Sequence, residues 1–363
     1  MRAAVMHDIG KLAIEEVPKP TPQRGEVLVK IKAVGVCHTD LSVYEGKLPA
    51  PTPVILGHEG AGIVEEVGEG VTNIRVGDHV VCSIIVSCGA CQNCRANRIH
   101  QCEVGNQVVF GGTMLDGTSR LESEDGEQLA HFFCQSSFAE YAVVPERAVA
   151  VVSKEAPFDR ICLLGCGAAT GIGAVTRRAQ VPAGASVVIV GAGGVGISAV
   201  LGARLAGAHP IIVADINPRK LDYATRAGAT HVVDVGQQDL TAAVLGITGT
   251  GADFAFDAVG ADGTLASAFE AARPGATVVA IGLMEMTGLV TIDIFSLLFQ
   301  KVLTGTNGGS VIPGEDLPAF VDLYLDGRLD LDLLASKTYR LDEIELAFED
   351  MKAGNCIRGV ITF

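Results

Sequence analysis

The stretch from Ser186 to Asp215 restricts the fold of this chain more than any other. Ser186-Val-Val-Ile-Val190 is a short apolar run of the kind a buried parallel strand needs, and it opens into Gly191-Ala-Gly193-Gly-Val-Gly196. An apolar stretch to Leu205 reads as a helix, and Ile211-Ile-Val-Ala-Asp215 reads as a second strand ending in an acid. A lone G-x-G-x-x-G carries little information. Placed between a strand and a helix, with an acid 19 residues beyond its last glycine, it specifies a dinucleotide-binding βαβ unit. Gly191, Gly193, Gly194, Val195 and Gly196 would let the backbone approach a pyrophosphate, the helix N-terminus would supply unpaired N–H groups, and Asp215 would accept hydrogen bonds from the adenosine ribose. Its negative charge repels a 2′-phosphate, so NAD is expected rather than NADP.

The rest of the chain is consistent with that unit. Apolar runs at 231–235, 254–259, 277–282 and 302–306 alternate with helical stretches such as 265–272, the rhythm of a doubly wound α/β sheet. After Gly308-Gly309, helices are predicted near 316–326 and 341–353 and a last strand at 359–363, packing back on the first domain. The N-terminal part reads differently: short, non-repeating strands at 1–7, 26–34, 60–67, 77–83 and 139–144, an irregular Val17-Pro-Lys-Pro-Thr-Pro22, and a polar, loop-like segment at 103–138. A chain of 363 residues with 44 glycines and 48% hydrophobic residues has room for two cores of this kind.

Ten cysteines in a chain this long are better read as metal ligands and core thiols than as a disulfide framework, because four of them fall between residues 88 and 102. Cys88-x2-Cys91-x2-Cys94-x7-Cys102 can close a tetrahedron around one zinc in a segment with little hydrophobic periodicity of its own. Four protein ligands leave no open position, so that zinc is structural. A different set arises from Gly35-Val-Cys37-His-Thr-Asp40, Gly57-His58-Glu59 and Gly165-Cys166-Gly167. Two thiolates and one imidazole make a Cys2His site with its fourth position open, as catalytic zinc requires.

A formal charge of −15 disfavours nucleic acid and anionic membrane surfaces as partners. Residues 179–203 carry no charge, but Pro182 and six glycines divide them into a strand and a turn rather than a membrane span. Met1 to Asp8 has no apolar core of export-signal length, so a cytoplasmic address is expected.

These motifs resemble the zinc-containing, medium-chain alcohol dehydrogenases, in the longer branch of dimeric relatives, over nearly the whole length. The pieces that carry the resemblance are Gly-Val-Cys37-His-Thr-Asp, Leu-Gly-His58-Glu-Gly-Ala-Gly, the four-cysteine lobe and Asp116-Gly-Thr-Ser-Arg120. To these are added Leu-Leu-Gly-Cys166-Gly-Ala-Ala-Thr-Gly, Gly-Ala-Gly-Gly-Val-Gly196, Asp215-Ile-Asn217 and Ile357-Arg358.

The resemblance implies a GroES-like, β-rich catalytic domain split between residues 1–167 and 311–363, around a Rossmann cofactor domain of residues 168–310. It implies NAD and two zinc ions per subunit, one structural and one held by Cys37, His58 and Cys166, with Glu59 behind it as an alternate ligand. Such a zinc acidifies a bound alcohol so that its carbon can release hydride to nicotinamide. Thr39 would take the alcohol proton; many relatives end the path on a histidine three residues later, where this chain has Ser42, and the final acceptor is left open. His38 and Arg358 would face coenzyme phosphates and Lys220 a ribose, with Thr170 and Ile281 among the other cofactor contacts. Asp40 would orient His58. Cys82, Cys134, Cys162 and Cys356 match no role and are read as structural.

By the same resemblance Ile84, Phe132, Phe133 and Leu283 line the substrate pocket, an apolar wall that favours a primary alcohol with an aromatic, allylic or medium-chain tail. Relatives that act on glutathione-bound formaldehyde need charged groups at the pocket mouth. Here residues 47–53 lack an acidic pair and residues 103–114 contain no arginine or lysine, so that substrate is disfavoured. The rival readings are a nicotinoprotein that retains NAD and uses an external electron acceptor, and a non-catalytic binding protein on the same fold. Residues 290–304 resemble the edge through which relatives pair, giving a homodimer first and a homotetramer second.

Overall fold

The computed structural model describes residues 1–282 and 288–363. Leu283 lies outside the described residues. The chain forms two compact units, one of Met1–Cys166, Ile312–Gly327 and Ala335–Phe363, the other of Gly167–Val311 and Arg328–Leu334. Residues 328–334, placed from sequence in the catalytic part, group instead with the second unit, and their Leu329, Leu331 and Leu334 are buried. Amphipathic spacing alone does not say which core an isolated leucine triplet enters.

The first unit is built on a mixed sheet in the order Val149–Val151, His79–Cys82, Gly60–Val67, Glu26–Val36, Arg358–Thr362, Ala335–Tyr339, with Tyr141–Pro145 also pairing on Glu26–Val36. Its central strand alternates little because it is buried on both faces: only Lys30 is exposed in EVLVKIKAVGV. A smaller sheet, Lys11–Glu16, Arg2–Asp8 and Val54–Ile55, closes a second core around Val5, Val17, Ile55 and Leu129. The strand Lys11–Glu16 has no strong sequence signal; most of its residues are half-buried, and pairing with Arg2–Asp8 supplies its order.

The segment 103–138, expected to be loop-like, is more structured than that. It contains a helix, Glu103–Val108, a short hairpin of Leu121–Glu122 and Gln128–Leu129, and wholly buried Met114, Phe132 and Phe138. The Asp116–Arg120 motif is a tether here. Arg120, its side chain 4% exposed, grips both oxygens of Glu26 at 3.0 and 2.7 Å and reaches Asp116 at 2.8 Å. Its backbone N–H donates to Nε2 of His131 at 3.0 Å.

His131 is 1% exposed, and burial, helped by the Arg120 charge against the opposing pull of Asp116, holds its pKa down to about 3. The unfolded chain takes up this proton below about pH 6.5 and the folded one only near 3, so stability falls as pH drops through that window. Between pH 7 and 5 this group is expected to cost about 2 kcal/mol. Urea unfolding of the native chain and His131→Gln at both pH values checks it: the variant loses about 2 kcal/mol less, and an equal loss contradicts it.

The second unit holds a parallel sheet in the order His231–Asp234, Ile211–Asp215, Val187–Val190, Ala252–Asp257, Ala272–Ala280, Val302–Gly305. Numbered along the chain, this is the 3-2-1-4-5-6 order of a doubly wound dinucleotide fold, with its switch point beside Val187–Val190. Val188, Val190, Ile212, Ala255, Phe269 and Val278 pack one core of this unit. No single helix among the described residues is long and apolar enough to cross a membrane.

Candidate active site

Cys37 immediately follows the central strand of the first unit, Glu26–Val36, and caps the helix His38–Tyr44. Asp40, wholly buried in that helix, accepts from the Cys37 N–H at 3.2 Å through one oxygen, and with the other from the Gly57 N–H at 3.0 Å; that second oxygen also lies 3.0 Å from Nδ1 of His58. One carboxylate thus holds two loops in register and turns Nε2 of His58 away from it. Cys166 follows a short 3₁₀ turn, Cys162–Gly165, whose last carbonyl accepts from the Ile84 N–H at 3.0 Å. The ligand atoms of Cys37, His58, Glu59 and Cys166 all lie within 4.8 Å of one another.

Nε2 of His58 is buried and has no hydrogen-bond partner among the described residues, a costly state unless a metal ion accepts its lone pair. A hydrogen bond from Cys166 holds the Cys37 thiol well below its ordinary value against the effect of burial, with Arg358 and His58 adding to it; the same hydrogen bond and burial push Cys166 well up. The protein's own groups thus drive the two thiols in opposite directions, and a dication between them would favour the thiolate form of both. For His58, burial opposes the charged form, but Asp40 and the Cys37 sulfur outweigh it and hold the pKa well up. This donor set fits a catalytic zinc.

Away from this site, the Sγ atoms of Cys88 and Cys94 lie 4.0 Å apart and those of Cys91 and Cys102 3.9 Å apart. Sulfurs on a zinc tetrahedron stand about 3.8 Å apart, so this set fits a closed structural site. Burial pushes Cys82 and Cys134 up to about 12 and Cys162 well up, as inert core thiols.

Thr39 is half-buried with its Oγ1 3.7 Å from the Cys37 sulfur, and Ser42 lies one helical turn beyond it. His38 is exposed. Arg358, expected at a coenzyme phosphate, is nearly buried here, and its Nη2 donates to Glu59. Ile84 is half-buried, Phe133 is 8% exposed and stacks on the His58 ring at 4.9 Å, and Phe132 meets that ring edge-on at 5.5 Å. Phe132, expected as a pocket wall, is wholly buried and belongs to the core behind the ligand.

Three residues were not anticipated. Gln135, 0% exposed, donates to the His58 carbonyl at 2.9 Å and accepts from Ser137 Oγ at 2.6 Å, so both fix the ligand loop from behind. Phe110 stands edge-on to Phe132 and Phe133 at 6.1 and 5.2 Å. Phe133, Cys134 and Ser136 have φ of 52°, 51° and 55°, left-handed values that cost each side chain energy and bring the aromatic pair and the amide onto one ligand. Nothing in the sequence of a non-periodic loop signals such a backbone.

In the second unit Gly191 ends the first parallel strand with φ +97°, and a Cβ there would come 2.5 Å from Val259. A Cβ on Gly196 would meet the Gly191 carbonyl oxygen at 1.8 Å, so helix and turn can pack only with glycine at that position. Gly193, at the N-terminus of the helix Gly194–Leu205, faces open space. Asp215 closes the second strand, accepting from the N–H groups of Ala192 at 2.8 Å and Asn217 at 2.9 Å. This cradle fits a pyrophosphate beside a ribose-binding acid. Thr170 is buried in the helix Gly167–Gly173, Lys220 is half-buried on Pro218–Ala227, and the Ile281 N–H donates to the Asp257 carbonyl at 2.9 Å.

Residues 23–154 match the alcohol dehydrogenase GroES-like domain and residues 194–326 the zinc-binding dehydrogenase domain. An S-(hydroxymethyl)glutathione dehydrogenase of Synechocystis sp. is 41% identical over all of this chain and 99% of its own length. The chain belongs to the zinc-containing medium-chain alcohol dehydrogenase family. Among solved structures of this family, a zinc-binding-domain alcohol dehydrogenase protein from Burkholderia ambifaria superposes with a TM-score of 0.96 at 38% identity, covering all of this chain and 98% of that one. Benzyl alcohol dehydrogenase from Acinetobacter calcoaceticus superposes with a TM-score of 0.95 at 36% identity over all of this chain and 99% of that one. The chain is therefore an oxidoreductase of a zinc- and NAD-dependent family, with a GroES-like unit and a Rossmann unit.

Proposed function

We propose that this dehydrogenase oxidises a primary alcohol with an apolar, aromatic or allylic tail to its aldehyde, and runs the reverse reaction, with NAD as hydride acceptor. The observation that carries the reading is the convergence of Cys37, His58 and Cys166 around a buried Nε2 that has no partner among the described residues. Zinc, when bound there, supplies the Lewis acidity that makes a bound alcohol acidic enough to react near neutral pH. Cys37, His58 and Cys166 hold it and Asp40 fixes the tautomer and direction of His58. Thr39 Oγ1 takes the alcohol proton while releasing its own, and Ser42, one turn further along the helix, relays a proton in the same way toward water, the final acceptor. His38 and Arg358 serve coenzyme phosphates, and Lys220 and Asp215 the adenosine ribose.

Phe133 and Phe110 favour an aromatic tail, because rings pack edge-on or offset against one another. The likeness to the Acinetobacter benzyl alcohol dehydrogenase supports the same class. A second reading, S-(hydroxymethyl)glutathione, rests on the name of the Synechocystis relative, and the lack of acidic residues in 47–53 and of basic ones in 103–114 opposes it. A kcat/KM panel separates them: benzyl and cinnamyl alcohols are expected to exceed both ethanol and S-(hydroxymethyl)glutathione by about tenfold or more. NAD that stays bound in stoichiometric amount through gel filtration would instead mark a nicotinoprotein.

The enzyme acts in the cytoplasm as a homodimer. Its ten cysteines are unbridged, as in a reducing compartment. Ile294, Phe295 and Leu298 are 61–73% exposed, and Val302–Gly305 is the last strand of its sheet among the described residues, an apolar surface and a strand edge that a second copy would cover. Sedimentation is expected to give twice the chain mass, and Ile294→Lys with Leu298→Lys to give one; a monomeric native chain contradicts the pairing, and four copies would mark the tetramer.

A further inference from the structure

The ion pair behind the candidate zinc site crosses a strand. Glu59 immediately precedes the strand Gly60–Val67, on one side of the central strand, where Gly60 pairs with Val34. Arg358 begins the strand on the other side, where Gly359 pairs with Val36 and Val360 with Gly35. The residue beneath the contact from Arg358 Nη2 to Glu59 is Gly35. An ideal Cβ on Gly35 would stand 1.9 Å from Oε2 and 3.0 Å from Cδ of Glu59, with Cδ2 of Leu163 at 3.0 Å. Glu59 is 0% exposed and Arg358 5%, so the carboxylate has no solvent into which to withdraw. Its alternative lies close by: a Glu59 oxygen belongs to the set of donor atoms that includes Cys37, His58 and Cys166, all within 4.8 Å.

We infer that Gly35 is a positioning residue whose missing side chain parks the Glu59 carboxylate against Arg358 and so keeps the fourth position of the metal open for substrate. The inference rests on the reading of Cys37, His58 and Cys166 as a metal site. Any side chain at position 35 occupies the space of Oε2 and drives the carboxylate out of its seat. The buried direction that offers it a cation is the metal.

The test uses the full-length enzyme with cobalt in place of zinc, and imidazole as a probe of the open position, followed by the change it makes in the cobalt absorption spectrum. In Gly35→Ala, imidazole affinity is expected to fall tenfold or more, because the carboxylate competes for the position. Adding Glu59→Asp, which shortens the side chain by one carbon and keeps its charge, is expected to bring the affinity back to within about threefold of the native chain. Unchanged imidazole affinity in Gly35→Ala overturns the inference. Should Gly35→Ala fail to fold, recovery of folding in Gly35→Ala/Glu59→Asp upholds the steric conflict and continued failure overturns it. A native chain whose cobalt spectrum shows no thiolate ligation and no response to imidazole would overturn the metal reading itself, a result distinct from the others.

Discussion

Cys37→Ala is expected to lower kcat/KM for alcohol oxidation roughly 10³-fold or more, because Lewis-acid activation contributes several kcal/mol and each 1.36 kcal/mol is a factor of ten. The chain is expected to stay folded. Cys37 packs at the end of a long strand whose partners on both sides remain, and alanine fills much of the same space. Metal analysis separates a site effect from a structural one. The native chain is expected to carry two zinc ions, one per donor cluster, and the variant to keep only the one at Cys88, Cys91, Cys94 and Cys102. A variant with both ions and native turnover would remove Cys37 from the site.

Asp40→Ala should have the largest effect on stability of any single change at the site. Two backbone N–H groups and the imidazole of His58 lose their acceptor at once, all of them buried. Removing one partner of a buried charged network costs roughly 3–5 kcal/mol, read as a lower urea midpoint. Asp40→Asn keeps the shape and one accepting oxygen, but its amide nitrogen must face a buried donor, so it loses part of the network at a smaller cost to the fold than alanine. Loss of such a partner behind a metal-ligating histidine costs about 10- to 100-fold in metal affinity or activity. Competition with a chromophoric chelator measures it. Zinc affinity in Asp40→Asn equal to the native value would show that His58 is oriented by something else.

The parts of this architecture that were legible in the sequence are those in which one local rule sets the outcome. The Gly191–Gly196 turn, the acid at Asp215 and the four-cysteine spacing each satisfy a geometric need within a few residues of chain, and the strand order places the turn at the switch point that such a motif requires. The Cys37 motif was legible for a similar reason, since Asp40 bonds back within its own helix turn. Gln135 and Ser137 follow another logic. The Gln135 amide is defined by partners at His58 and Gly60, far away in sequence, the Ser137 hydroxyl by that amide, and the left-handed residues that aim them carry ordinary side chains. The segment around them looked polar because its polar groups are consumed internally. Arg120 likewise earns its burial only when Glu26 arrives from another strand. Burial by tertiary pairing leaves no periodicity to read.

The most direct measurement joins a metal count to NADH absorbance over a panel of alcohols, on one preparation of the native chain. Two zinc ions per chain, NADH formed in step with aldehyde, and kcat/KM for benzyl alcohol about tenfold or more above that for ethanol and for S-(hydroxymethyl)glutathione are expected. A zinc-free active chain, or one that prefers S-(hydroxymethyl)glutathione, would contradict the proposal.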